Sequence, residues 1–265
     1  MQQTKSKALI NSVPRLFSGR ITALVFILIS GAAQAKLLPT LPPADFTQCK
    51  QFFAGGKVPV FQARSPAKAR PLCYDAFAVL HSGTTRTPLY VAERINKSTL
   101  QDAAGEKRSN RFFADARLPA SERAALDDYK GSGYARGHMA PAANMANPEA
   151  MAQSFSLANM VPQAPRNNSG PWAGIEKATR KYAMRASGDV YVITGPVFDE
   201  SAEVIGPNRV RVPRYLFKLV YDPVAQRAWA HWLENTEQAR IGRPIEYAEL
   251  VRRTGIEFLP GLTIR

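Results

Sequence analysis

The rhythm of apolar and polar positions changes several times along the 265 residues, and each change predicts an element. Pro88–Ile95 (PLYVAERI) reads as a strand, Tyr191–Thr194 as a buried strand turning at Gly195-Pro196, and Tyr215–Tyr221 (YLFKLVY) as a third. Helical spacing falls between them. Ala120–Tyr129 has a start centred on Ser121, Pro148–Ser154 follows Asn147 as N-cap, and Ile245–Thr254 stops at Gly255 as a C-capped helix does. The best-defined helix runs from Trp172 to Arg185, after a turn at Asn168-Ser169-Gly170-Pro171 that puts Pro171 in the first helical position. Trp172, Ile175, Thr179 and Tyr182 share one face, and Glu176 and Arg180 lie four apart on the neighbouring one. Strands and helices do not alternate regularly and no repeat is present, so a mixed α+β domain is expected rather than a doubly wound sheet.

The first 35 residues follow a different pattern. Lys5, Lys7, Arg15 and Arg20 precede an apolar run, Ile21–Ala33, that ends at Ala33-Gln34-Ala35, so residues 1–35 read as an export signal. The run is too short to span a bilayer, for which about 20 apolar residues are needed. Cleavage would leave residues 36–265 as a single domain in the periplasm or the medium, with a Pro-rich lead-in at Leu37–Pro43 (LLPTLPP) and an N-terminal extension over 36–85. No membrane association is expected after cleavage.

Charge then narrows the partners. Lys and Arg number 35 against 21 Asp and Glu, a formal charge of +14, and the leader accounts for only four of those positive charges. A field of this sign concentrates polyanions and offers little to an acidic metabolite enzyme, which makes nucleic acid the leading partner. Cys49 and Cys73 are the only cysteines, and in an exported chain one disulfide is the economical reading, against two buried thiols. No CxxC spacing occurs, and His81, His138 and His231 are too scattered for a local helical zinc site. Serine-hydrolase elbows, Walker loops and GxGxxG turns are absent as well.

Candidate chemistry gathers in Gly131–Pro141 (GSGYARGHMAP). Gly137 allows close backbone approach, Arg136 can grip a phosphate, and His138 is the side-chain type suited to proton transfer near neutrality. A lone histidine is more often structural than catalytic, and a Glu–Arg pair such as Glu176 and Arg180 is more often a surface ion pair than a site.

The wider pattern decides between these readings. Tyr134–Asn144 (YARGHMAPAAN) resembles the Asp-Arg-Gly-His signature of the DNA/RNA non-specific endonucleases, the group of secreted bacterial nucleases and mitochondrial endonuclease G with a ββα-metal active site. Downstream, Leu157–Gln163 (LANMVPQ) followed by Asn168, Gly170, Trp172 and Glu176 resembles the family's second block. Tyr191–Val197, Val212-Pro213 with Tyr215–Lys218, and Arg253-Thr254-Gly255 agree in order, so the likeness runs from about Leu89 to Leu262. The family's Asp before Arg-Gly-His is Ala135 here, which removes the hydrogen bonds of that carboxylate and suggests reduced activity.

The resemblance implies an antiparallel or mixed sheet core with flanking helices, and a role for each matched residue. His138 corresponds to the general base and Asn168 to the single direct ligand of a Mg²⁺ ion, with Mn²⁺ as an alternative. Glu176 corresponds to the acid that orients the ion's waters, and Arg136 to a phosphate-facing arginine. A further catalytic arginine precedes a Phe-x-x-Asp pattern, here Phe112–Asp115, and both Arg108 and Arg111 qualify. Arg180 is a weaker candidate for substrate contact. The implied activity is hydrolysis of DNA and RNA to 5′-phosphorylated products, by a chain that in this family is often a homodimer. The competing reading is a secreted cationic nucleic-acid-binding protein whose site has decayed, and Ala135 is the feature that points to it.

Overall fold

A computed structural model describes residues 45–63 and 66–265; the expected export signal and Pro-rich lead-in lie outside them. Seven strands pair into one sheet in the order Ile245–Glu246, Arg227–Glu234, Tyr215–Asp222, Val190–Val197, Thr87–Ile95, Phe77–Ser82 and Ala69–Cys73, every neighbour antiparallel. With helices on both faces, this is the α+β architecture that the sequence predicts.

Period-two alternation divides the central strands between two cores. Ala78, Leu80, Tyr90, Ala92, Ile193, Phe217, Leu219 and Tyr221 face one side, where Phe46, Phe52, Phe53, Leu250 and Phe258 cover them. The covering comes from the short helical turns Thr47–Phe52 and Ala54–Gly56 and from the helix Tyr247–Thr254. Cys49 and Cys73 are bridged, with Cα atoms 5.7 Å apart, which fastens this cover to the edge strand Ala69–Cys73. Phe77, Val79, Val91 and Leu216 face the other side, clustered with Trp172, Ile175, Met139, Met151 and Phe155, and Val192 and Val220 cluster there with Leu100 and with Ala183 of the helix Ala173–Ala183.

On that second face the strands Ala135–His138 and Met160–Gln163 form a separate antiparallel pair, and the helix Ala173–Ala183 follows them in the chain. Gly137 has a packing reason to be glycine: a Cβ there would sit 2.1 Å from Gln163 Oε1. The close approach expected of this glycine is thus to the neighbouring strand of the pair.

Four expectations change. Gly195-Pro196 is not a turn but the continuation of Val190–Val197, because pairing to Thr87–Ile95 ends at Thr194 and the missing proline N–H falls where the strand has one neighbour left. The helix over Ala120–Tyr129 is two pieces, Ala120–Glu122 and Leu126–Tyr129. Tertiary bonds break it: Glu122 is drawn to Arg70 at 2.5 Å, and Arg123 donates to the carbonyls of Asp115 and Leu118. Ile245-Glu246 pairs with the sheet, so the last helix starts at Tyr247; it ends at Gly255 with φ 66° as expected. The turn before the long helix is itself helical. Pro165–Asn167 begins it, and Asn168–Trp172 is a π-helical segment enclosing Pro171, which has no N–H for the α pattern. Asn147 caps Pro148–Ser154 as predicted, its Oδ1 accepting from Ala150 N at 2.8 Å.

Candidate active site

His138 is the last residue of its strand, and the chain after it is latched. Asn159 Oδ1 accepts from Ala140 N, and Asn159 Nδ2 donates to the carbonyls of Ala140 and Ser154, all at 2.9 Å. This latch and the hairpin ladder hold the His-bearing segment with alanine at position 135, whose side chain lines the cleft. His138 is 8% exposed, and its ring lies edge-on to Phe155 and tilted to Phe112, with ring centres 5.0 Å and 5.9 Å away. Its Nε2 is buried without a hydrogen-bond partner. Burial, with a smaller push from the Arg108 guanidinium, lowers its pKa to about 3, so the ring is neutral near pH 7.

The same two rings seat two arginines. Arg136 stacks 4.1 Å above the centre of Phe112, and Arg108 stacks 4.9 Å above Phe155. Flat guanidinium stacking holds the donors in place while leaving the edge free for a phosphate. Arg108, Arg136, Lys130, Tyr134 and Asn168 line one cleft of about 520 Å³. Both arginines that the sequence left open are exposed, and Arg108 lines the cleft while Arg111 does not.

The helix start sorts Asn167 from Asn168. Asn167 is buried and committed: its Oδ1 accepts from Gln163 Nε2 at 3.1 Å and its Nδ2 donates to the Glu234 carbonyl at 2.6 Å. Asn168 is half-buried and turns into the cleft from the π-helical segment. Glu176 is half-buried two turns on, and burial raises its carboxyl against the pull of Lys218, Arg180 and Arg108. Arg180 donates from Nη1 to Asn144 Oδ1 at 3.4 Å and lines a neighbouring groove that also holds Arg108.

Among the described residues no three His, Cys, Asp or Glu side chains converge as metal ligands. The donor set on offer is one amide oxygen with a carboxylate behind it. That set fits a hydrated divalent ion such as Mg²⁺, which keeps most of its water, and does not fit a stripped cation.

The pattern of residues gave no role to Asn159, Glu93, Asn144 or Lys218. A signal was there for one of them: Lys218 is a single charge inside the otherwise apolar run YLFKLVY.

Residues 55–263 match the sequence model of the DNA/RNA non-specific endonuclease family. The chain is 36% identical over 202 residues to human mitochondrial nuclease EXOG, covering 72% of this chain and 51% of that protein. It is 32% identical over 220 residues to human mitochondrial endonuclease G, covering 76% of this chain and 73% of that one. The chain spans about half the length of human EXOG, so activity and substrates do not transfer from the match alone. The crystal structure of the EndoG/EndoGI complex superposes with a TM-score of 0.67 over 84% of this chain and 95% of that chain, at 22% identity. The relatives named here are mitochondrial nucleases, which overturns the expectation of a secreted or periplasmic protein. A leader rich in basic and free of acidic residues is a property that export and organelle-targeting segments share, so it does not separate them.

Proposed function

The chain belongs to the DNA/RNA non-specific endonuclease family, and from that premise we propose that it is a Mg²⁺-dependent endonuclease cleaving both DNA and RNA to 5′-phosphorylated ends. The observation that carries this reading is the shared phenylalanine pair, which gathers His138, Arg108 and Arg136 at a cleft that Asn168 also lines.

Each residue then has a task set by its surroundings. Arg108 and Arg136 hold the non-bridging oxygens of the scissile phosphate and offset the charge that grows on them in the transition state. His138 accepts a proton from the attacking water as the new bond to phosphorus forms. The bond from phosphorus to the 3′ oxygen breaks, and that oxygen is protonated from solvent. Asn168 would hold the divalent ion directly and Glu176 through its waters. When bound, the ion supplies positive charge at the phosphate and at the departing oxygen. Contacts to phosphate and sugar carry no base information, which fits cleavage without sequence preference.

Supercoiled plasmid and structured RNA, each incubated with Mg²⁺ or EDTA, test the reading beside His138→Ala and Asn168→Ala. Cleavage of both polymers that EDTA stops and both substitutions abolish is the expected result. Undiminished cleavage by His138→Ala removes the proposed base. Binding of both polymers without cleavage in Mg²⁺ selects the degenerate-site alternative that Ala135 suggests.

A further inference from the structure

A buried ionic cluster lies beneath the cleft, and none of the steps above uses it. Lys218 and Glu93 are each 1% exposed, and Thr194 between them is fully buried. Register places Lys218 directly across from Thr194, and Thr194 across from Val91, two residues before Glu93 on the same face. Lys218 Nζ donates to Thr194 Oγ1 at 2.6 Å, lies 3.4 Å from the Met139 carbonyl oxygen and 5.2 Å from the centre of the Trp172 ring. Met139 is the residue after His138. Glu93 Oε1 accepts from Asn144 Nδ2 at 3.0 Å, and Asn144 Oδ1 accepts from Arg180, while Glu93 Oε2 is buried without a partner. The Lys218 charge acts on both Glu93 and Glu176.

Stability alone does not account for this arrangement. Replacing a buried ion pair by well-packed apolar residues is often neutral or stabilising, and YLFKLVY is apolar at nearly every other position. What the ammonium does at this spot is to join the peptide behind the proposed base to the acidic side of the site. Resting on the nuclease reading, we infer that Lys218 is a positioning residue: anchored on Thr194, its ammonium fixes the Met139 carbonyl, and with it the His138 ring, and steadies the Glu93–Asn144–Arg180 chain beside it.

Lys218→Met alone strands the Glu93 carboxylate, so the informative variant is the double Glu93→Gln/Lys218→Met, which removes both charges. Its thermal midpoint is expected near wild type, with kcat on a defined duplex about tenfold or more lower and KM changed by less than about threefold. Nitrogen-15 spectra of histidine-labelled, substrate-free protein are expected to show the His138 ring signals broadened or doubled. Lys218→Arg keeps the charge and recovers part of both effects. Thr194→Val, which removes only the anchoring hydroxyl, gives the same pattern in smaller measure and decides the question if the double variant does not fold. Wild-type kcat together with unaltered His138 signals, in the double variant or in Thr194→Val, makes the cluster structural only and overturns the inference. The ring spectra need neither substrate nor metal, so they stand even if wild-type protein cleaves nothing, the separate outcome that defeats the nuclease reading.

Discussion

On one face of the seven-stranded sheet, Phe217, Leu219, Tyr90 and Ile193 meet Phe53, Leu250 and Phe258 in an apolar layer. On the other face, the same strands carry Glu93, Thr194 and Lys218 into the interior beneath His138 and Trp172. Among the described residues seven buried side-chain atoms lack a partner, and four of them, Glu93 Oε2, His138 Nε2, Gln163 Oε1 and Trp172 Nε1, belong to the cleft side. Each such group costs about 1 to 3 kcal/mol of desolvation, whereas each large apolar side chain buried on the opposite face contributes about 1.5 to 3 kcal/mol. One face is thus an apolar layer, whereas the other combines an apolar core with buried polar groups that are held at a cost.

His138→Ala breaks the comparison most directly. Cleavage of plasmid is expected to fall by about 10²- to 10⁴-fold, the range for loss of a general base. The thermal midpoint near pH 7 should stay level or rise, because the substitution removes a buried nitrogen that has no partner. A large drop in midpoint would show that the cleft side supports the fold after all.

Phe217→Ala is the converse on the apolar face. The ring is 1% exposed and packs 5.1 Å from Phe258, so a loss of about 3 to 5 kcal/mol in denaturant unfolding is expected. Cleavage per folded molecule at low temperature should not change. Replacing Cys49 and Cys73 by serine acts on the same face with less force. Opening that loop should cost about 3 kcal/mol, again without effect on cleavage per folded molecule.

The two sides also differed in how legible they were. Asn147 and Gly255 announced helix ends because caps are local, and the order of His138, Asn168 and Glu176 pointed to the proposed site because side-chain identity there is chemistry. Phe77–Ser82 went unread, since a strand buried along its whole length has no alternation to detect. The helix over Ala120–Tyr129 was misread because Arg70, some 50 residues away in the chain, pulls Glu122 out of register with it. The disulfide was right although the export argument behind it was not, for the pairing depends on where the edge strand Ala69–Cys73 lies. Lys218 was passed over because its meaning depends on Thr194 and Met139, which only the sheet brings near.

The smallest effect expected is also the one that separates groups within the cleft side, through the dependence of stability on pH. His138 has its pKa lowered from 6.5 to about 3, by burial first and Arg108 second. Between those values the unfolded chain binds a proton that the folded chain refuses, so wild-type stability falls as pH falls from 6.5, by up to about 1.4 kcal/mol per pH unit. His138→Ala has no such proton, and its stability relative to wild type should climb as pH is lowered. Glu93 moves the other way: burial raises it from 4.5 to about 7, only partly opposed by Lys218 and Asn144. Between those values the folded chain holds the extra proton, so the Glu93 contribution is present below pH 4.5 and lost as pH rises through 7. Glu93→Gln cannot titrate and should gain on wild type as pH is raised. Phe217→Ala lies in a layer whose ionisable members, Tyr90 and Tyr221, are raised by burial above the usual tyrosine range, and should track wild type in parallel across the range. Denaturant unfolding of the three variants at pH 4.5, 5.5, 6.5 and 7.5 reads all three slopes. Parallel curves for His138→Ala and Glu93→Gln would show that neither group is held away from its ordinary protonation state, and the contrast between the faces would then be one of packing alone.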